Sequence, residues 1–114
     1  MPLPIFTRKL VEARLEEYCE HKVPSHVRDK VRLSFKFRGN TVTLIEKRPA
    51  FMNPSEWVDI VVAQFRFDPK SKKWTLYCAD RNSRWHEYWD QDPSRDFERL
   101  LREVDEDPTG IFWG

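Results

Sequence analysis

Between Val31 and Arg38 apolar and polar residues alternate without a break, Val31, Leu33, Phe35 and Phe37 being interleaved with Arg32, Ser34, Lys36 and Arg38. Successive side chains of a strand point to opposite faces, so this pattern demands a strand with one dry and one wet side. Gly39-Asn40 comes next, two residue types that accept the positive φ of a tight hairpin. Thr41 to Arg48 therefore returns as a second strand, and Pro49, which has no N–H to donate, stops it. One face of this hairpin needs a cover and the other does not.

The rest of the chain extends the pattern. Ala50 to Trp57 reads as an irregular loop turning at Asn53-Pro54-Ser55. Ile60 to Phe67 is a third strand, with Val61, Ala63, Phe65 and Phe67 expected on one face. Asp68-Pro69-Lys70-Ser71 turns into a fourth strand, Trp74 to Cys78, and Asp80-Arg81-Asn82-Ser83 into a fifth, Arg84 to Trp89. The fifth strand leaves two facings open: either Trp85 and Trp89 point inward, or His86 and Tyr88 do.

Helices flank the strands. From Ile5 to Lys22, Val11, Leu15, Tyr18 and Cys19 form one helical stripe and Phe6, Leu10 and Ala13 a second, so the helix is expected to be wedged between two layers. Pro24 ends it. Asp92-Pro93 looks like the start of a closing helix, with Asp as cap and Pro in the first turn, and Phe97, Leu100, Leu101 and Val104 share its buried face. Short connections favour pairing in chain order. The expected fold is one α+β domain, 1–114: a five-stranded antiparallel meander with an N-terminal and a C-terminal helix.

Composition narrows the function. Length suits a single core, and 14% aromatic residues supply large buried areas despite 34% charged ones. A net charge of +1 gives no overall attraction to nucleic acid. No apolar run approaches the roughly 18 residues of a membrane span, and Met1-Pro2-Leu3-Pro4-Ile5-Phe6 lacks the features of a secretion leader. Cys19 and Cys78 are isolated, as buried thiols of a reducing compartment would be, so a cytoplasmic address is expected. Glycine is confined to Gly39, Gly110 and Gly114, so no phosphate-binding loop and no nucleotide cofactor is expected. No serine sits in an elbow motif. Cys19, His21 and His26, with Cys78 and His86, lack the tight paired spacing of a zinc site, and no metal is expected.

Three surfaces are candidates for function. The wet face of the sheet would hold Arg32, Ser34, Lys36 and Arg38, then Thr41, Thr43, Ile45 and Lys47, then Ile60, Val62, Gln64 and Arg66, then Thr75 and Tyr77. Cations among rings are what a sheet that binds single strands needs, since rings stack on bases and cations follow phosphates. The blander role for the same residues is to keep the face wet and its edges unpaired. A second candidate centres on His86, with Glu46, Arg48 and Arg81 assisting and Tyr88 nearby: proton transfer and charge stabilisation together would suit a small phosphodiesterase. The blander role for His86 is a packed residue on an aromatic strand. The third is Ile111-Phe112-Trp113, either a clasp on the core or a contact for a homodimer.

Glu46-Lys47-Arg48-Pro49, Val62-Ala63-Gln64-Phe65-Arg66-Phe67, Trp74-Thr75-Leu76-Tyr77 and Arg84-Trp85-His86-Glu87-Tyr88, followed by Glu103 to Gly114, carry a resemblance that covers the chain from about Pro24 onward. With these motifs the chain resembles a family of small bacterial proteins classed only as a domain of unknown function. Its most specific element is the closing Asp-Pro-Thr-Gly-Ile-Phe-Trp-Gly. The resemblance implies a bacterial, cytoplasmic protein and carries over no activity; Gln64 stands where Lys is more often expected. The leading expectation is a non-enzymatic binding module that contacts protein or single-stranded nucleic acid through Lys36, Arg48, Arg66, Tyr77, Arg81, His86 and Tyr88. The alternatives are the His86 phosphodiesterase and the tail-mediated homodimer.

Overall fold

Gly39 takes φ 59°, and the hairpin it turns joins β1 (Arg32–Arg38) to β2 (Thr41–Pro49) in the expected register, with Phe37 opposite Val42 and Phe35 opposite Leu44. The computed structural model describes residues 3–113; Met1, Pro2 and Gly114, which belong to the terminal motifs read above, lie outside them. β3 (Trp57–Asp68), β4 (Lys73–Ala79) and β5 (Trp85–Glu87) complete a five-stranded sheet whose order follows the chain, every neighbouring pair being antiparallel. α1 (Ile5–Lys22) precedes the sheet and α2 (Phe97–Glu106) follows it. The fold is α+β, as the pattern demanded. Among the described residues no helix is long and apolar enough to cross a membrane.

Both helices lie on one side of the sheet. Val11, Leu15 and Tyr18 of α1, with Phe97, Leu100, Leu101 and Val104 of α2, join Val42, Leu44, Phe65, Phe67, Trp74, Leu76 and Cys78 in a single core. Rings cross-brace it: Phe97 lies 4.8 Å from Phe65 and 5.1 Å from Trp74, spacings at which tilted pairs attract beyond their burial. α1 is not wedged between layers. Its second stripe stays in water, with Phe6 80% and Leu10 74% exposed, because no element among the described residues covers that side.

Two expectations fail for local reasons. The pairing of β2 with β3 shifts between Leu44 and Ile45, so Leu44 faces Ala63 while Ile45 faces Val61. A bulge adds one residue to one strand and so reverses the facing beyond it. Val62 is consequently buried, Val61 joins the outer face with Ile45, and Ile60 pairs with Glu46 on the helix side. The closing helix does not start at Asp92. Ser94 exchanges backbone hydrogen bonds with Trp74, 2.7 and 3.0 Å, which holds that segment extended alongside β4. The cap is Asp96, whose carboxylate accepts from the N–H of Glu98 at 3.1 Å.

The carboxyl-terminal segment is a clasp. Asp107 enters the left-handed region, φ 46°, and its carboxylate accepts the backbone N–H groups of Phe112 at 3.0 Å and Trp113 at 2.9 Å. Phe112 is buried 5.0 Å from the Tyr88 ring, and the Trp113 indole donates to the carbonyl of Val104. Trp113 reaches Lys22 in the last turn of α1, not the Phe6 stripe. Carboxylates near a helix C-terminus oppose its dipole, and here two of them have partners: Glu103 accepts from Tyr88 Oη, Asp105 from Tyr18 Oη and Lys22. Asp107→Ala removes two charge-assisted bonds, so a loss of about 2 kcal/mol is expected in urea denaturation.

Candidate functional site: the uncovered face of the sheet

Strand register decides which side chains meet on the side away from the helices. Directly paired residues share a face, so Arg32, Ser34, Lys36 and Arg38 of β1 stand beside Lys47, Ile45, Thr43 and Thr41 of β2. Next come Trp57, Asp59, Val61, Gln64 and Arg66 of β3, then Lys73, Thr75 and Tyr77 of β4, then Trp85 and Glu87 of β5. Arg32, Lys36, Arg38, Lys47, Arg66 and Lys73 thus face Asp59, Asp68 and Glu87, twice as many cations as anions. Part of their balance sits on α2, where Glu98, Glu103, Asp105 and Glu106 outnumber Arg99 and Arg102, whereas the four acids of α1 are matched by Arg8, Lys9, Arg14 and Lys22.

A network crosses the middle of this face. Gln64 donates through its amide to Thr43 Oγ1 at 3.0 Å and accepts from Arg66 Nε at 2.7 Å. Arg66 in turn lies 3.8 Å over the Tyr77 ring. At this position a lysine could not accept from Arg66, which gives Gln64 a structural role. At the far corner Arg32 stacks 4.4 Å over Trp57, and Lys47 pairs with Asp59 at 3.5 Å. Tyr77 and Trp85 are diagonal neighbours, since Tyr77 pairs with Glu87 and Ala79 with Trp85. Stacked guanidinium and ring pairs hold cations beside aromatic surface on this face. The β2–β3 arm runs on past β4, its tip carrying Phe51 and Met52, 96% and 88% exposed.

The sequence-level candidates do not gather in one place. Lys36, Arg66 and Tyr77 lie on the uncovered face. Arg48 lies on the helix side of the arm, ion-paired to the buried Glu46. His86 pairs with Cys78 and therefore points to the helix side, which settles the facing of β5. Its Nε2 is 2.8 Å from Asp80 Oδ2. That carboxylate also accepts the N–H groups of Asn82 and Arg84, and with His86 they hold its pKa below the ordinary Asp value. Arg81 is exposed at the tip of the same hairpin. Glu46 and His86 sit on β2 and β5, three strand spacings or about 14 Å apart. Proton transfer between them and one substrate atom is not built into this arrangement.

Tyr88 is core. Its hydroxyl donates to Glu103 Oε2 at 2.7 Å, and burial pushes its pKa up to about 12. Burial likewise pushes the Cys19 thiol up to about 11 and raises that of Cys78, so neither is an activated nucleophile. No cluster of three or more metal-ligating side chains occurs among the described residues. Ile111 is exposed, while Phe112 and Trp113 are engaged in the clasp.

Sequence reasoning missed the Thr43–Gln64–Arg66–Tyr77 network and the Arg32–Trp57 stack. Both depend on which residues face each other across strands, information that alternation along one strand does not contain. Comparison with curated proteins finds no match, and neither does comparison with solved structures. One family model covers nearly the whole chain, from residue 3 to residue 114. The chain belongs to that family, the domain of unknown function DUF3024.

Proposed function

We propose that the uncovered face of the sheet binds single-stranded nucleic acid and that the protein is a non-enzymatic binding module. The observation that carries this reading is the segregation of charge by face. A chain of net charge +1 gathers Arg32, Lys36, Arg38, Lys47, Arg66 and Lys73 on the one side of its sheet that no helix covers. Tyr77, Trp85 and Trp57 lie among them, half-buried or exposed, with ring surface for bases. Base stacking on such rings is worth roughly 1–3 kcal/mol per base and tolerates any sequence. The phosphates would run along the lysines and arginines, while Thr41, Thr43 and Thr75 offer hydroxyls between them. The free thiols Cys19 and Cys78 suit a cytoplasmic setting, where such strands occur.

Affinity should then depend on salt as phosphate binding does. With about four phosphates neutralised, log K falls against log salt with a slope of about −3. Fluorescence anisotropy with a labelled oligonucleotide should show binding weakening by roughly fifty-fold between 50 and 200 mM salt. Affinity that is flat across that range, or absent at the lower salt, would overturn the reading.

A further inference from the structure

Turned away from the sheet, α1 keeps an apolar stripe that nothing in the described chain covers. Ile5 is 65% exposed, Phe6 and Leu10 more so, and Ala13 completes the row one turn on. At about 100° per residue the stripe lies roughly 140° around the helix from Val11, Leu15 and Tyr18, which face the core. Contiguous apolar surface of this kind marks a place where something docks.

The charges beside the stripe identify the occupant. Arg14, paired with Glu98, marks the flank toward α2, and Lys9 and Glu16 lie on the opposite flank, two turns or roughly 10 Å apart along the axis. The helix is balanced in number, yet its charges are separated along this flank. Glu12, Glu16 and Glu20 follow one another at i, i+4 spacing, at which like charges repel. None of the three forms an ion pair among the described residues, and neither does Lys9. One end of the flank lacks an acid and the other lacks a cation. A second α1 laid antiparallel supplies both. A two-fold axis perpendicular to the helix pair sets each flank beside its own copy, and placed level with Glu12 and Ala13 it brings Lys9 of each copy to Glu16 of the other. The match is made twice, as in any isologous contact. Ala13, a small residue, then sits where the two helices cross, with Leu10 of the other copy beside it. A parallel pair would instead set Lys9 against the flank that carries Arg14. We infer that the protein self-associates as a two-fold dimer through the outer face of α1. One helix from each copy makes a small contact, so the dimer is a reversible one. Both sheet faces point outward from it, so this inference and the nucleic-acid reading do not depend on each other.

Sedimentation velocity on the full chain, from about 1 to about 200 µM at low salt, tests the inference. The weight-average mass should rise from one chain toward two, with a dissociation constant in the micromolar range. Leu10→Glu, which puts a charge into the stripe, should keep the protein monomeric throughout. Lys9→Glu sets like charges together twice and should weaken association by at least about tenfold, as should Glu16→Lys. Combining the two restores opposite charges, so the double variant should associate within about threefold of the unaltered chain. Lys9, Leu10 and Glu16 are exposed, so these changes leave the core intact, and circular dichroism checks the fold of each variant. A monomer at every concentration, a dimer untouched by Leu10→Glu, or a double variant as weak as the single ones would each overturn the inference.

Discussion

Reversing two charges, Lys36→Glu together with Arg66→Glu, is expected to weaken oligonucleotide binding severely while leaving the melting temperature within a few degrees. The two residues lie on β1 and β3, on the same side of the sheet, Lys36 beside Thr43 of β2 and Arg66 beside Thr41. Each substitution removes a phosphate contact and adds a repulsive charge, so the pair should weaken affinity by at least about a hundredfold at moderate salt. It should also flatten the remaining salt dependence by more than one unit of slope. Arg66→Glu additionally strips the guanidinium from Tyr77 and from Gln64, which removes the most ordered part of the platform. Lys36 is exposed and makes no ion pair among the described residues, so its loss costs the fold little. Arg48→Glu is the matched control, since that residue lies on the helix side. It should change oligonucleotide affinity far less, although it disturbs the buried Glu46.

The largest effect on stability is expected at Phe65. Its side chain is fully buried, central in β3, and 4.8 Å from Phe97 of α2. Phe65→Ala removes a ring that links sheet and helix and leaves a cavity, at a cost of about 3–5 kcal/mol. Whole domains are stable by about 5–15 kcal/mol, so thermal unfolding should move down by more than about 10 °C. One residue earlier the consequence differs. Gln64→Ala faces water and should cost about 1 kcal/mol, the worth of its bonds to Thr43 and Arg66. Equal costs at the two positions would contradict the assignment of faces.

Much of this architecture is legible along the chain because it rests on local rules. Alternation from Val31 to Arg38 and the Gly39-Asn40 turn specify the first hairpin, and Phe97, Leu100, Leu101 and Val104 specify the buried face of α2. What escapes is set by partners distant in sequence. The bulge opposite Leu44 and Ile45 leaves no mark on the hydrophobic pattern of β3, so Val62 looks outward-facing and is not. Asp92 and Asp96 are equally good caps by chemistry, and the pairing of Ser94 with Trp74 chooses between them. The facing of His86 follows from its pairing with Cys78, eight positions back along the chain. Net charge conceals the site, because the excess of acids on α2 offsets much of the excess of cations on the sheet. Only the cross-strand register shows that those cations share one uncovered surface with Tyr77 and Trp85.

Amide and indole chemical-shift mapping by NMR during titration with a single-stranded oligonucleotide is the most direct measurement. Shifts should concentrate on Lys36, Thr43, Gln64, Arg66 and Tyr77 and on the Trp85 indole, while Leu10, Ala13 and Arg95 on the helix side stay in place. Shifts confined to the helix side, or spread evenly over both surfaces, would contradict the proposal that the bare side of the sheet is where this protein meets its partner.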